Sequence, residues 1–245
     1  MPIWNPWHGC HKISAGCRYC YVYRSDAKYQ RDSAVVAKNS SFDLPVRRNR
    51  KGQYKLQSKG TVYTCFTSDF FLPDADQWRS DVWKMIRERS ELRFLIITKR
   101  IDRFQVGLPE DWGEGYENVC ICSTVENQDR VDYRLPILLR EPIRHKMIVC
   151  EPLLEKIDIS PYLSSAIELV VAGGESGNEA RVCDYFWITN LREQCRDANV
   201  AFHFKQTGAR FRKEGRVYVI PRKYQHSQAS KARLDLGKGK SMVEF

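Results

Sequence analysis

Short apolar runs recur along the chain from residue 61 onward, and polar or glycine-containing segments, several of them helix-like, separate the runs. Six such runs are present, at residues 61–66, 93–97, 119–122, 146–149, 168–172 and 200–204. Continuous apolar runs of this length are typical of strands covered on both faces of a parallel sheet. Their alternation with helices predicts βα units. We therefore predict an α/β fold, a partial (βα)6-type barrel with a further short strand at Ile3 and Trp4. A flat doubly wound sheet is the alternative.

Two strongly basic stretches lie outside this alternation. Residues 24–60 hold ten Lys and Arg against three Asp and Glu, and residues 201–245 hold eleven against three. We predict a barrel domain over residues 1–208, with a cysteine-containing loop at 9–21 and a basic insertion at 25–60. A basic C-terminal extension at 209–245 follows, with a hairpin around 217–220 and a loosely packed end at 231–240. The basic stretches suit a polyanion such as nucleic acid, and solvated basic loops are the alternative.

The chain has no stretch of about 18 apolar residues, so no membrane-spanning helix is expected. Its first residues lack the basic segment and apolar run of a signal peptide, which predicts a cytoplasmic protein. In a reducing cytosol the nine cysteines are not expected to form structural disulfides. Five of them lie in apolar or helical segments and are predicted to be core residues: Cys65, Cys120, Cys122, Cys150 and Cys195.

Polar or charged residues follow nearly every predicted strand. They are Ser68 and Asp69, Lys99, Ser123 and Glu126, Glu151, Gly173, Gly174 and Glu175, and Lys205 with Gln206. The carboxyl ends of parallel strands meet at one edge of a sheet, where α/β enzymes bind ligands. Lys99, Glu151 and Lys205 are the candidate catalytic residues on the substrate side. An ordinary salt bridge would also satisfy such charges.

Three cysteines stand apart from the rest in the spacing Cys-x6-Cys-x2-Cys. They are Cys10, Cys17 and Cys20, and Gly9 and Gly16 flank them. Clustered cysteines in a cytosolic protein are most often metal ligands. A structural zinc site needs four ligands, whereas a four-iron cluster held by three cysteines keeps one iron open to a cofactor. Zinc with His8 as fourth ligand is the alternative.

This loop resembles the signature of the radical S-adenosylmethionine (SAM) superfamily, in a variant with six residues in the first gap instead of three. Tyr19, directly before the last cysteine, fits the superfamily pattern. The opening Trp4-Asn-Pro-Trp-x-Gly-Cys and the later Gly-Gly-Glu-Ser-Gly are similar to a phage-associated, functionally unassigned subgroup of that superfamily. That closer resemblance extends from Trp4 to about Gly208. It implies a partial β/α barrel, in agreement with the strand pattern.

The resemblance also implies a mechanism. Cys10, Cys17 and Cys20 would ligate three irons of a 4Fe–4S cluster, and SAM would chelate the fourth. An electron donor such as flavodoxin or ferredoxin would then start SAM cleavage to a 5′-deoxyadenosyl radical that abstracts hydrogen from the substrate. The cofactor contacts implied or favoured are Tyr19, Ser68, Asp69, Ser123, Glu126, Gly173, Gly174 and Glu175. Asp69 and Glu126 as helix caps, and the glycines as a plain turn, are the alternatives.

The substrate is not specified by the sequence, and modification or repair of a nucleic acid is one expectation. The competing hypothesis is a non-catalytic nucleic-acid-binding protein with a zinc or structural iron–sulfur site. If the enzyme modifies or repairs a nucleic acid, replacing Arg47, Arg48, Arg50 and Lys51 of the basic insertion is expected to weaken its binding.

Overall fold

The computed structural model describes residues 2–57 and 60–237. The strands are β1 (Ile3–Trp4), β2 (Trp7–His8), β3 (Ala37–Lys38), β4 (Thr61–Thr64), β5 (Arg93–Thr98), β6 (Val119–Thr124), β7 (His145–Cys150), β8 (Ile167–Gly173), β9 (Cys183–Asp184), β10 (Ala201–Gln206), β11 (Arg210–Lys213) and β12 (Arg216–Val219). The α-helices are α1 (Tyr21–Lys28), α2 (Asp76–Glu88), α3 (Gln128–Arg140), α4 (Tyr185–Asp197) and α5 (Arg222–Lys231).

A seven-stranded parallel sheet with the order β1-β4-β5-β6-β7-β8-β10 curls into a half-barrel. The six predicted runs and the short strand at Ile3 and Trp4 are its seven strands, so the prediction of a partial α/β barrel is confirmed. An α-helix does not follow every strand of the sheet, although the predicted βα units imply one. The connections over residues 99–118 and 151–166 each contain a short 3-10 turn, Ile101–Arg103 and Ser160–Tyr162, and no α-helix.

Helix α3 forms despite a proline in its interior. Asn127 caps its start, because the side chain accepts a hydrogen bond of 3.1 Å from the Arg130 amide. Pro136 cannot donate to the carbonyl of Asp132, and both residues lie on the exposed side of the helix. No helix within residues 2–57 and 60–237 is long and apolar enough to cross a membrane.

Both faces of the curled sheet are buried. One set of strand residues packs against the helices, as Ile96, Ile121 and Phe202 do. The other set lines the concave face: Tyr63, Leu95, Cys120, Cys122, Met147, Val149, Leu169 and Val171. The five cysteines predicted to be core residues are all buried, and Cys183 is buried as well.

The two basic stretches cover the two edges of the sheet. Along the β1 edge, the Trp4 indole donates to the carbonyls of Ser41 and Phe42 at 3.2 and 3.1 Å. Along the β10 edge, Phe202 and Leu236 exchange backbone hydrogen bonds of 3.1 and 2.9 Å.

The C-terminal extension begins with the predicted hairpin, formed by β11 and β12. Helix α5 then packs against β10. Leu234 is buried and Leu236 pairs with Phe202, so the end that was expected to be loosely packed contacts the sheet as far as Leu236; residues 238–240 lie outside the described part.

Candidate active site

A cavity of about 830 Å³ opens at the carboxyl ends of the strands. Eleven of the fourteen predicted site residues line it: Cys10, Cys17, Tyr19, Cys20, Ser68, Asp69, Lys99, Glu151, Gly174, Glu175 and Lys205. The parallel topology places them together, as expected from their positions at strand ends. Ser123, Glu126 and Gly173 lie outside the lining.

The loop that carries the three cysteines, residues 9–21, makes close contacts at both of its glycines. Gly9 has a φ of 94°, and a Cβ there would lie 2.3 Å from the Val35 carbonyl oxygen. A Cβ on Gly16 would lie 3.0 Å from the carboxyl carbon of Glu126. The amide of Cys10 donates to the Ser33 carbonyl at 2.7 Å. The backbone at position 9 therefore requires glycine, and Gly16 allows the loop to approach Glu126 closely.

Donors face two of the three sulfurs. The Arg100 guanidinium lies 3.7 Å from Cys10 Sγ and also donates to the His11 carbonyl at 2.7 Å. The Ser14 hydroxyl lies 3.9 Å from Cys17 Sγ. Burial and the charge of Asp69 raise the pKa of the Cys10 thiol to about 12, against the opposing effect of Arg100. Any metal bound there would displace a proton from this thiol.

Arg100 is a site residue that the sequence reasoning missed. Its guanidinium is buried, and it forms an ion pair of 3.5 Å with Asp69. The available signal was its position directly after Lys99 at the end of an apolar run, where a second charge also needs a partner.

Single-ion coordination finds no support in the geometry. Among the residues that the structure describes, no group of three or more His, Cys, Asp or Glu side chains is arranged to hold a metal ion. The proposed fourth zinc ligand, His8, contacts both carboxylate oxygens of Asp26 through Nε2, at 2.9 and 3.0 Å. Zinc requires four donors within about 2.0 to 2.3 Å of one centre.

Glu126 holds the cysteine loop through the Gly16 amide and does not line the cavity. It is fully buried, accepts a hydrogen bond of 3.1 Å from the Gly16 amide and forms an ion pair of 2.9 Å with the buried Arg134. Burial alone would raise the pKa of Glu126, but the charges of Lys99 and Arg134, with hydrogen bonds from Ser14 and Gly16, lower it overall. In the structure Glu126 therefore positions the cysteine loop and lies outside the cavity lining, where a cofactor contact was predicted.

Ser123 and Thr124 lie on opposite faces of β6. Ser123 is outside the cavity lining, whereas Thr124 lines the cavity. Neighbouring strand residues point to opposite faces, and Thr124 shares the concave face with Cys120 and Cys122. The residue of this pair that faces the cavity is therefore Thr124 and not Ser123, for which a cofactor contact was predicted. The Thr124 hydroxyl is buried and has no hydrogen-bond partner among the described residues.

Asp69 and Ser68 line the cavity but are already engaged. Asp69 accepts hydrogen bonds from the Thr98 hydroxyl at 2.7 Å, the Lys99 amide at 2.9 Å and the Phe71 amide at 3.0 Å. Ser68 donates to the Gly9 carbonyl. These contacts join β4 to β5 and to the cysteine loop.

The Gly-Gly-Glu turn packs β8 against the residues after β10. A Cβ on Gly174 would lie 2.2 Å from the Thr207 carbonyl oxygen, and one on Gly173 would lie 3.1 Å from Glu151 Oε1. Glu175 forms a bidentate ion pair with Arg181, at 2.6 and 2.9 Å. The glycines therefore meet the chain itself, and the Glu175 carboxylate is occupied by a guanidinium.

The three candidate catalytic residues have different surroundings. Lys205 donates to Glu151 at 2.8 Å, and Gln206 donates to the same carboxylate. The salt-bridge alternative thus describes this pair. The Lys99 ammonium is half-buried and has no ion pair with any residue that the structure describes.

The start of α5 supplies a wall of the cavity that was not expected from the sequence. We call Arg222, Lys223, Gln225 and His226 the α5 wall. The available signal was the basic character of the extension, which predicted contact with a polyanion but not a position at the cavity.

Residues 2–240 match the model of a family described as "Protein of unknown function (DUF5131)". The chain belongs to this family. No curated protein and no solved structure matches it. The family description assigns no activity, so a function has to be argued from the cavity.

Proposed function

We propose that this protein is a radical SAM enzyme that binds a 4Fe–4S cluster on Cys10, Cys17 and Cys20. The observation that carries the proposal is the meeting of these three cysteines in one cavity at the strand carboxyl ends. A loop that supplies three thiolates leaves one iron open for a second ligand. The cavity, at about 830 Å³, is within the range of small-molecule sites.

The donor set fits a cluster better than a single ion. Thiolates are the ligands of iron–sulfur clusters, and each binds a different iron atom, so they need not converge on one centre. Arg100 and Ser14 offer N–H and O–H donors to the sulfurs of Cys10 and Cys17. Such contacts stabilise thiolates and adjust the potential of a bound cluster.

When bound, the cluster and SAM would supply a 5′-deoxyadenosyl radical, and the chain would position and shield the two cofactors. Glu126 would keep the loop in place through the Gly16 amide. The hydroxyl of Thr124, which has no partner among the described residues, would form a hydrogen bond with a polar group of a molecule bound in the cavity. Tyr19 lines the same cavity and would present a ring to it.

The test is anaerobic reconstitution followed by reduction in the presence of SAM. We expect about four irons per chain, an electron paramagnetic resonance signal that SAM perturbs, and release of 5′-deoxyadenosine. Cys17→Ala should abolish iron binding. Cys65→Ala is the matched control, because Cys65 lines the same cavity but belongs to the segment after β4 and is buried.

The control also separates two kinds of site. Retention of iron and SAM cleavage in Cys65→Ala would support three loop ligands with an open iron. Loss of iron in both variants would indicate four thiolates and a structural site, which contradicts the proposal. A protein with a stable cluster and no SAM cleavage would favour the non-catalytic alternative.

A further inference from the structure

We infer that the α5 side of the cavity binds a phosphate group of the substrate. This inference rests on the proposed function for the assumption that the cysteine side holds the cofactors. It names the substrate class that the α5 side of the cavity would accept.

The acids that line the cavity are all neutralised by the chain. Asp69 contacts Arg100, Glu151 contacts Lys205, and Glu175 contacts Arg181, at 3.5, 2.8 and 2.6 Å. Two cations of the lining, Arg222 and Lys223, form no ion pair with the described residues, whereas the charge of Lys99 acts on the buried Glu126 carboxylate. The cavity therefore carries uncompensated positive charge, which favours an anionic ligand.

The α5 wall is fixed to the sheet and directs a helix start toward the cavity. The Thr207 amide donates to the Gln225 carbonyl at 3.2 Å, and His226 Nδ1 donates to the Lys205 carbonyl at 2.9 Å. Residues of the first turns of this ten-residue helix line the cavity. The unpaired amides and the dipole of a helix start attract anions, phosphate in particular.

Thr124 indicates independently that the cavity takes a polar ligand. Its side chain is 1% exposed and lines the cavity, and its hydroxyl has no partner among the described residues. A buried hydroxyl without a hydrogen bond is costly. A ligand oxygen in the cavity would remove that cost.

The number of free cations favours phosphate over a carboxylate. A phosphate monoester carries a charge of about −1.5 to −2 at neutral pH, which matches the two cations Arg222 and Lys223 better than a single carboxylate does. A volume of about 830 Å³ cannot admit a duplex. The phosphate therefore belongs to a free nucleotide-sized molecule or to a single-stranded segment that enters the cavity.

The basic turn of the insertion is excluded from this site by its position. Arg48 and Arg89 both lie 3.9 Å from the ring centre of Tyr54. Arg89 follows α2 and precedes β5, so this turn lies at the amino-terminal edge of the sheet. The cavity is at the carboxyl edge, and Arg50 and Lys51 consequently provide a control of equal charge.

The experiment measures binding of thymidine 5′-monophosphate, thymidine and a short single-stranded oligodeoxynucleotide to the reconstituted full-length protein with SAM present. We expect at least one phosphorylated probe to bind about tenfold more tightly than thymidine. Arg222→Glu with Lys223→Glu should remove that preference, because both side chains are exposed and their reversal changes the wall without disturbing the core. Arg50→Glu with Lys51→Glu should keep the preference for thymidine 5′-monophosphate over thymidine, because that turn lies at the other edge of the sheet and its expected contact is with a polyanion.

The outcomes separate this inference from the proposed function. A response to the mononucleotide alone indicates a small substrate, and a response to the oligonucleotide alone indicates a polynucleotide; both support the inference. Equal binding of thymidine and the phosphorylated probes, or an unchanged preference in the α5 variant, overturns it. Release of 5′-deoxyadenosine is measured in the same samples. Phosphate preference without SAM cleavage would overturn the proposed function and leave the phosphate site standing.

Discussion

Removing the carboxylate of Glu126 should both destabilise the protein and release the cysteine loop. Glu126→Met keeps the approximate volume but leaves the charge of Arg134, which is 1% exposed, without its partner at 2.9 Å. Breaking a buried ion pair from one side costs about 3 to 5 kcal/mol. For a chain of this size, each kcal/mol lowers the melting temperature by about 2 to 4 °C. We therefore expect a decrease of about 6 to 20 °C.

A second substitution separates stability from metal binding. Glu126→Met combined with Arg134→Met removes both charges, which should recover most of the lost stability because no charge remains buried alone. The hydrogen bond to the Gly16 amide stays absent, so iron loading should remain low. The assays are thermal melting of the apoprotein and iron per chain after reconstitution. A single variant that melts within about 2 °C of the native protein, or a double variant with full iron, would refute this reasoning.

The pH dependence of stability follows from the same carboxylate. The pKa of Glu126 in the fold is lowered below its ordinary value of 4.5. Its contribution is therefore present above pH 4.5 and is lost as the pH falls through the lowered pKa. Acid unfolding of the native protein should include this loss, and Glu126→Met should show a shallower decrease in stability below pH 4.5.

Two further substitutions test the surroundings of the cavity. Arg100→Gln removes the cation 3.7 Å from Cys10 Sγ, so the reduction potential of the reconstituted cluster should fall. Arg100→Lys should restore part of that potential. A redox titration that gives equal potentials for the native protein and Arg100→Gln would contradict the expected role. Gly174→Ala should cost about 1 to 3 kcal/mol, because its Cβ would lie 2.2 Å from the Thr207 carbonyl oxygen. Gly52→Ala, at a φ of 76° in open space, should cost only about 1 kcal/mol, and equal melting temperatures would count against the packing argument.

The strands were predictable because burial on both faces gives continuous apolar runs. For the same reason the runs do not alternate, and the sequence does not show which face of the sheet each residue occupies. In β6 the polar residues Ser123 and Thr124 follow an apolar run without alternation. The sequence therefore indicated a polar side chain at the end of β6, but it did not indicate which of the two residues faces the cavity. Only the curvature of the sheet, which depends on all its strands, makes Thr124 the residue that reaches the cavity.

The grouping of charged residues was also predictable, but their pairing was not. Parallel topology brings the strand ends together, so Glu151 and Lys205 were expected at one edge. Whether a charge meets another charge depends on distances between segments far apart in the chain, here 54 residues. Glu175 has its partner Arg181 only six residues away, but in an irregular segment whose path no periodic pattern describes.

The covering of the two sheet edges has a consequence for solubility during folding. A half-barrel, unlike a closed barrel, ends in two strands with unpaired backbone groups that can template the association of further chains. The segments that cover Trp4 and Phe202 belong to the two most basic stretches of the sequence. Before the edges are covered, that positive charge opposes the approach of a second molecule. The charge thus also protects the chain against aggregation at the positions where strands from two molecules would first join.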